Sequence, residues 1–94
     1  MEGVTLSHHK RIFNEKGDIL HGIKKSDKQF KDFGEAYFSL INFGEIKGWK
    51  KHTISTLNLL VPSGDVRFVI YDDREDSESF KLFQEVIIGE KNYA

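Results

Sequence analysis

The chain has 94 residues, with 14 Lys and Arg against 15 Asp and Glu and a formal net charge of -1 at pH 7. A chain of this length supports one modest core, and its near-neutral charge gives no overall field that favours nucleic acid or an anionic membrane. The absence of Cys excludes disulfides, thiolate nucleophiles and thiolate metal sites.

The first elements along the chain predict a β-hairpin and then a short helical turn. The segments "HHKRIF" and "DILHGI" flank "NEKG", residues 14–17, whose composition suits a tight reversal. In "SDKQFKDF", Ser26 is placed as a helix N-cap with Gln29 three residues later. Phe30 and Phe33 then fall on one helical face, so we expect one helical turn there.

The rest of the chain predicts strands. "EAYFSLINF" and "STLNLLVP" are rich in residues that favour strands, "DVRFVIYD" follows a Ser-Gly turn, and "FKLFQEVIIG" follows the acidic turn "DREDSES". Alternation within "DVRFVIYD" places Val66, Phe68 and Ile70 on one face. We therefore expect at least five strands in an all-β sandwich or barrel. Without a linker or an internal repeat, residues 1–94 are expected to form a single domain.

The chain also lacks the signals of export and membrane insertion. No apolar region follows Met1. No apolar run approaches the ~20 residues that a membrane helix requires. We expect a cytoplasmic protein that binds neither membranes nor nucleic acid.

The segment "EIKGWKKH", residues 45–52, gathers lysines, a Trp and a His between a Gly turn and strand-like residues. Residues two apart in a strand share a face, so Lys50 and His52 are expected to point together. A neutral imidazole suits proton transfer near pH 7, and the grouping is typical of the mouth of a binding site. The alternative is a solvated strand end with a core Trp.

Metal binding is not expected. His8 and His9 are adjacent and would lie on opposite faces of a strand, and His21 follows a turn. The acidic residues between 72 and 78 lack the Gly and the regular oxygen spacing of a calcium loop. We predict neither a metal nor another cofactor, and we interpret the acidic segment as a solvated turn.

Three stretches in order, "KGWKKH", "LNLLVPSGDVRFVIYDDREDSES" and "FKLFQEVIIGEKNY", resemble the dTDP-4-dehydrorhamnose 3,5-epimerase family of cupin-type jelly rolls. "KRIFNEKGDI" is similar to the opening of that family, so the resemblance covers nearly the whole chain. Over a shorter span the chain is similar to sugar-nucleotide 3,4-ketoisomerases, whose Gly-led strand carries two His separated by one residue. The resemblance implies a cupin-type double-stranded β-helix that is C-terminally shortened, because the family's last strands would follow Ala94.

The resemblance also implies roles for individual residues. Lys50 takes the position of the epimerases' catalytic His, and Leu57 takes that of the Lys that stabilises the enolate. His52 lies where the ketoisomerases carry their second His, so Lys50 could hold the keto oxygen or a sugar hydroxyl. Trp49 could stack on a base or a sugar. Lys47 matches an Arg that would meet the nucleotide phosphates, which a Lys can do as a point charge. Arg74 matches the Arg of a "D-x-R" segment and is interpreted either as a substrate contact or as a turn-bracing ion pair.

Two functions follow from these observations. The first is an epimerase or isomerase acting next to the keto group of a dTDP-4-keto-deoxyhexose in surface polysaccharide biosynthesis, with His52 and Lys50 catalytic and Lys47, Trp49 and Arg74 binding substrate. The second is a non-catalytic module that binds a sugar nucleotide or a partner and has lost the base. The family's dimers share N-terminal strands, so a homodimer formed by β-strand pairing is expected in either case.

Overall fold

The computed structural model describes residues 1–94 and contains four strands and no helix. Two antiparallel two-stranded sheets are present: β1 (Arg11–Ile12) pairs with β2 (Ile19–Leu20), and β3 (Asp65–Tyr71) pairs with β4 (Phe83–Gly89). The chain divides into two units, residues 1–22 with 59–94 and residues 23–58. The predicted all-β class is confirmed, and no helix in the structure could cross a membrane.

The predicted first hairpin is confirmed, and local polar contacts define its turn. The amide of Gly17 donates to the carbonyl of Asn14 at 2.9 Å, and the amide of Lys16 donates to the Asn14 side-chain oxygen at 2.9 Å. Gly17 has a φ of 132°, a value that L side chains rarely adopt. Arg11 and Asp18 form an ion pair at 2.9 Å across the hairpin. The turn is therefore fixed by the Asn and Gly that predicted it.

The β3–β4 hairpin is the main element of residues 1–22 with 59–94. Its register runs from Asp65 opposite Gly89 to Tyr71 opposite Phe83. Val66, Phe68 and Ile70 are half-buried while their neighbours along β3 are exposed, so the predicted alternation is confirmed. One face of this hairpin thus packs on the core, and the other faces outward.

The core of this unit is small and lies on the inner face of the hairpin. Its buried members are Val61, Ile88 and Ala94, and the half-buried Val66, Phe68 and Val86 pack against them. At the open end of the hairpin, a Cβ on Gly89 would overlap the carbonyl oxygen of Gly64. The close approach of the two strands there therefore requires a residue without a side chain.

Tyr93 fastens the end of the chain to the first hairpin. Its side chain is buried, and its hydroxyl donates to the carbonyl of His21 at 2.6 Å. The Tyr93 carbonyl accepts from the amide of His9 at 3.0 Å, and the two rings lie 6.0 Å apart. One aromatic residue thus contacts the chain on both sides of the β1–β2 hairpin.

Two of the expected strands are absent. Residues 35–43 and 55–62 contain no strand, although their composition favours one. In residues 23–58 the side chains of Phe38, Leu40 and Phe43 are almost fully exposed, at 96%, 84% and 106%. Strand propensity measures how well a side chain fits a pleated, half-buried surface, and these segments have no neighbouring strand to provide that surface. The expectation of five or more strands is therefore wrong.

The expected helical turn near Ser26 is also wrong, because two successive β-turns occupy that segment. Asp27 N donates to Lys24 O at 3.0 Å, and Phe30 N donates to Asp27 O at 3.0 Å. The Asp27 carboxylate accepts from the Lys24 amide at 2.8 Å. A short polar side chain that bonds to the nearby backbone favours a turn over a helix, so Asp27 outcompetes the Ser26 cap.

We predict that Tyr93→Phe lowers the free energy of unfolding by about 1 kcal/mol, because it removes one buried hydrogen bond and keeps the ring. Urea denaturation followed by circular dichroism measures this change. Tyr71→Phe is the matched control, because its hydroxyl has no hydrogen-bond partner on an exposed face, and it should leave stability unchanged. Equal stability of Tyr93→Phe and the native chain would contradict the proposed fastening.

Candidate functional site

The basic segment, residues 45–52, lies in the unit formed by residues 23–58, alongside residues 37–39. Lys47 Nζ donates to Ser39 Oγ at 3.1 Å. Lys50 Nζ lies 5.9 Å from the centroid of the Tyr37 ring, within the range of a cation–π contact. Two lysines thus stand beside a serine hydroxyl and a tyrosine ring on an exposed surface.

The charge of residues 23–58 differs from that of the whole chain. This unit holds seven lysines and four acidic residues, namely Lys24, Lys25, Lys28, Lys31, Lys47, Lys50 and Lys51 against Asp27, Asp32, Glu35 and Glu45. The excess of positive charge attracts anions locally, which the near-zero total conceals.

The other residues predicted in this segment are exposed as well. Trp49 has 70% of its surface accessible, and His52 is exposed. Residues 47–52 form no strand, so the strand alternation that would point Lys50 and His52 in one direction is not present here. Their joint action on one substrate stays a prediction.

Arg74 lies in the other unit and belongs to a polar cluster that we call the Asp72 network: Glu2, Asp72, Arg74, Ser77 and Ser79. The side chain of Asp72 is almost completely buried. Its Oδ1 accepts from Arg74 Nε at 2.8 Å and from the Arg74 amide at 3.1 Å. Its Oδ2 accepts from Arg74 Nη2 at 2.9 Å and from the hydroxyls of Ser77 and Ser79 at 2.6 and 2.5 Å.

Glu2 joins the network from the beginning of the chain. Its carbonyl accepts from Arg74 Nη2 at 2.6 Å, and its amide donates to Ser79 Oγ at 3.1 Å. The Glu2 carboxylate accepts from the Glu78 amide at 2.9 Å and lies 2.7 Å from Ser77 Oγ. The Ser77 hydroxyl has one hydrogen for two carboxylates, so it serves Asp72 or Glu2 at any moment.

These contacts favour the charged form of both carboxylates. Hydrogen bonds from Arg74, and then from Ser77 and Ser79, hold the pKa of Asp72 far below its ordinary value of 3.8. Hydrogen bonds from Ser77 and the Glu78 amide lower the pKa of Glu2 from its ordinary value of 4.5. The hydrogen bond to Asp72 in turn raises the pKa of Arg74.

The network limits how Arg74 could contact a ligand. Nε and Nη2 are already bonded to protein acceptors, so a substrate contact would use Nη1. The interpretation of Arg74 as a turn-bracing ion pair agrees with its 2.8 Å contact to Asp72. A role in substrate binding stays a prediction.

Several partners in these two groups are not predicted by the sequence. Tyr37 and Ser39 lie in a segment whose composition indicates only a strand, and Glu2 lies more than 70 residues from the turn that it contacts. The spacing Asp-x-Arg-x-x-Ser-x-Ser from Asp72 to Ser79 is a usable signal, because it places two hydroxyls within reach of one carboxylate. No three His, Asp or Glu side chains are grouped so that they could hold a metal ion.

Comparison with known proteins gives one informative similarity. The chain is 34% identical over 58 residues to a protein described as a probable low-salt glycan biosynthesis epimerase, Agl13, from Haloferax volcanii. The matched region is 61% of this chain and 37% of the relative, so the chain spans little more than a third of that protein. No family model and no solved structure matches the chain. The similarity supports, at most, a relationship to sugar epimerases.

We predict that stability falls with acidification below about pH 5 and that the Asp72 network causes much of the fall. Both carboxylates have a lower pKa in the folded chain than in the unfolded chain. The folded chain therefore binds fewer protons than the unfolded chain as the pH falls. The contribution of the two carboxylates is complete above the ordinary values and is lost as pH decreases toward the folded values. Urea denaturation between about pH 3 and 7 measures this slope.

Asp72→Asn should lower stability at neutral pH and flatten the dependence on pH, because the amide cannot titrate. Glu75→Gln is the matched control, since it removes an exposed carboxylate in the same turn, and it should retain the native slope. An unchanged slope in Asp72→Asn would assign the acid sensitivity to other groups.

Proposed function

We propose that this chain is a sugar-nucleotide epimerase- or isomerase-like protein that binds its substrate at the basic segment. The carrying observation is the grouping of Lys47 and Lys50 with Ser39 and Tyr37 in a unit with excess positive charge. A nucleotide-linked sugar offers anionic phosphates, hydroxyls and flat rings. These are the groups that lysines, a serine hydroxyl and aromatic side chains recognise.

Each predicted residue then has a defined role in binding. Lys47 meets a phosphate oxygen, and Ser39 holds the ammonium group in place. Trp49 is sufficiently exposed to stack on the base or on the sugar. Arg74 is a further candidate for binding through its Nη1 group.

The chemistry proceeds next to the keto group of a dTDP-4-keto-deoxyhexose. His52 removes a proton from the carbon beside the carbonyl, and the C–H electron pair moves into an enolate. Lys50 stabilises the developing negative charge on the keto oxygen. Return of a proton from solvent to the opposite face of that carbon gives the epimer, and His52 releases the abstracted proton to solvent.

The similarity to a glycan biosynthesis epimerase supports a sugar-modifying reaction for this protein. The dTDP substrate, the role in surface polysaccharide synthesis and the cupin-type jelly roll are the finer parts of the proposal. The β3–β4 hairpin, with one face on the core, is compatible with a strand pair of such a fold.

A second function, non-catalytic binding of a sugar nucleotide, is favoured by the backbone of the basic segment. Residues 47–52 form no strand, so the alternation that would direct Lys50 and His52 at one carbon atom is not present. In this alternative the basic segment holds the ligand, and no enolate forms.

Exchange of carbon-bound protons with solvent tests the enzymatic proposal. The protein is incubated with dTDP-4-keto-6-deoxyglucose in heavy water, and the proton signals at C3 and C5 are followed by NMR. We expect these signals to disappear with the native chain and to persist with His52→Asn. Lys50→His should retain exchange or increase it, because it places an imidazole where the similar epimerases carry their catalytic His.

His8→Asn is the control for a histidine outside the basic segment and should exchange at the native rate. Exchange by His52→Asn at the native rate would remove His52 from the mechanism. Absence of exchange by the native chain despite bound substrate would select the non-catalytic function.

We predict separately that Lys47→Ala weakens binding of dTDP about tenfold, as expected for the loss of a charge-assisted contact to phosphate. Isothermal titration calorimetry measures the Kd. Lys31→Ala removes an exposed lysine of the same unit and should leave the Kd nearly unchanged. Equal Kd values for Lys47→Ala and the native chain would exclude the phosphate contact.

A further inference from the structure

The β3–β4 hairpin presents an outer face that carries more apolar surface than a solvated strand pair needs. This outer face consists of Asp65, Arg67, Val69, Tyr71, Phe83, Glu85, Ile87 and Gly89. Its four apolar side chains, Val69, Tyr71, Phe83 and Ile87, are exposed by 41%, 37%, 64% and 50%. The opposite face packs on the core, so this apolar surface is not needed to hold the hairpin to its own unit.

The register of the hairpin arranges the outer face as four cross-strand pairs. Tyr71 lies opposite Phe83, with ring centroids 4.8 Å apart, and Val69 lies opposite Glu85. Arg67 lies opposite Ile87, and Asp65 lies opposite Gly89 at the other end. One end of the face is therefore aromatic, and the remainder combines two aliphatic side chains with one positive and two negative charges.

The charges of Arg67 and Glu85 on this face lack partners within the chain. Neither the Arg67 guanidinium nor the Glu85 carboxylate forms an ion pair or a hydrogen bond, whereas Arg11 and Arg74 each pair with a carboxylate. They are diagonal neighbours in the register rather than opposite each other. An Arg and a Glu without partners on one apolar face can pair with the Glu and the Arg of a second copy.

We propose that the outer face is a docking surface for the outer face of a second copy of this chain, related by a two-fold axis parallel to the strands. This rotation places β3 of one copy over β4 of the other, with the two sheets about 10 Å apart. Each Tyr71 then lies over the Phe83 of the other copy, and the four rings form one cluster. Face-to-face packing of this kind is the aligned arrangement of β-sandwiches.

The same rotation brings the unpaired charges together. Arg67 of one copy lies over Ile87 of the other, one pair along the strand from Glu85, a displacement of about 7 Å that both long side chains can span. Because of the two-fold symmetry, the dimer contains two equivalent Arg67–Glu85 ion pairs.

The outer face is smaller than a standard protein–protein interface. A stable specific interface buries about 800 Å² on each partner, and the side chains on one face of a short hairpin cover only part of that area. The dimer is therefore a weak one, formed at micromolar or higher concentration. Pairing of strand edges between copies, which the sequence predicts, uses different atoms and is distinguished by the variants below.

Sedimentation velocity over a dilution series, with charge-swapped variants, tests the proposal. The native chain should dimerise, and Arg67→Glu and Glu85→Arg should each weaken the dimer about tenfold, because every ion pair becomes a like-charge pair. An equimolar mixture of the two variants should recover native association. In the mixed dimer the carboxylate introduced at position 67 faces the guanidinium introduced at position 85, while the native Arg67 of one chain faces the native Glu85 of the other. The double variant should recover association as well.

Recovery on mixing separates the interface from damage to the hairpin, because a misfolded hairpin would not be repaired by a second variant. Circular dichroism and amide exchange of β3 and β4 confirm that each variant is folded. A native chain that stays monomeric at several hundred micromolar would overturn the proposal. So would a mixture that associates no better than its components, or a Phe83→Lys variant that dimerises like the native chain.

Discussion

The buried carboxylate of Asp72 is the interaction on which residues 1–22 with 59–94 depend. It follows β3 directly and accepts hydrogen bonds from Arg74, Ser77 and Ser79. Its backbone continues the hairpin, since its amide donates to Leu82 O and its carbonyl accepts from Lys81 N. A carboxylate removed from water is stable only when donors replace its hydration, and the turn supplies those donors from its own sequence. The acidic loop is therefore ordered by one of its acids.

Two groups of hydrogen bonds stabilise this unit, one at each end of the β3–β4 hairpin. At the turn, the Asp72 network binds Glu2, and at the open end Tyr93 contacts His9 and His21. The buried apolar cluster between the two groups is small. These polar contacts therefore contribute a larger share of the unit's stability than they would in a bigger domain. The strands of the β1–β2 hairpin are only two residues long. The hairpin is therefore held in position by Tyr93 rather than by the hydrogen bonds between its own strands.

The sequence predicted the hairpins because residues close together in the chain determine their turns and the faces of their strands. Asn14 and Gly17 define the first reversal, and alternation from Val66 to Ile70 identifies the face of β3 that packs inward. The same reasoning failed for residues 35–43 and 55–62, because a strand also requires a neighbour that sequence composition cannot supply. The contacts of Glu2 with the turn, and of Lys50 with Tyr37, join residues by tertiary packing, and single-sequence patterns carry no signal for them.

The distribution of charge decides more about function than the total does. The near-neutral sum hides an excess of lysine in residues 23–58 and an excess of acid in the rest of the chain. Within the acid-rich unit, Asp72 is bonded inside the turn, whereas Glu85 on the outer face of β4 lacks a partner. In the lysine-rich unit, Lys47 and Lys50 contact a hydroxyl and an aromatic ring, which are neutral, and keep their full positive charge available to an anion. A cation that is positioned by neutral neighbours attracts a phosphate more strongly than one already paired with a carboxylate. The basic segment is therefore suited to binding an anionic small molecule. The outer face is suited to binding a surface with complementary charges.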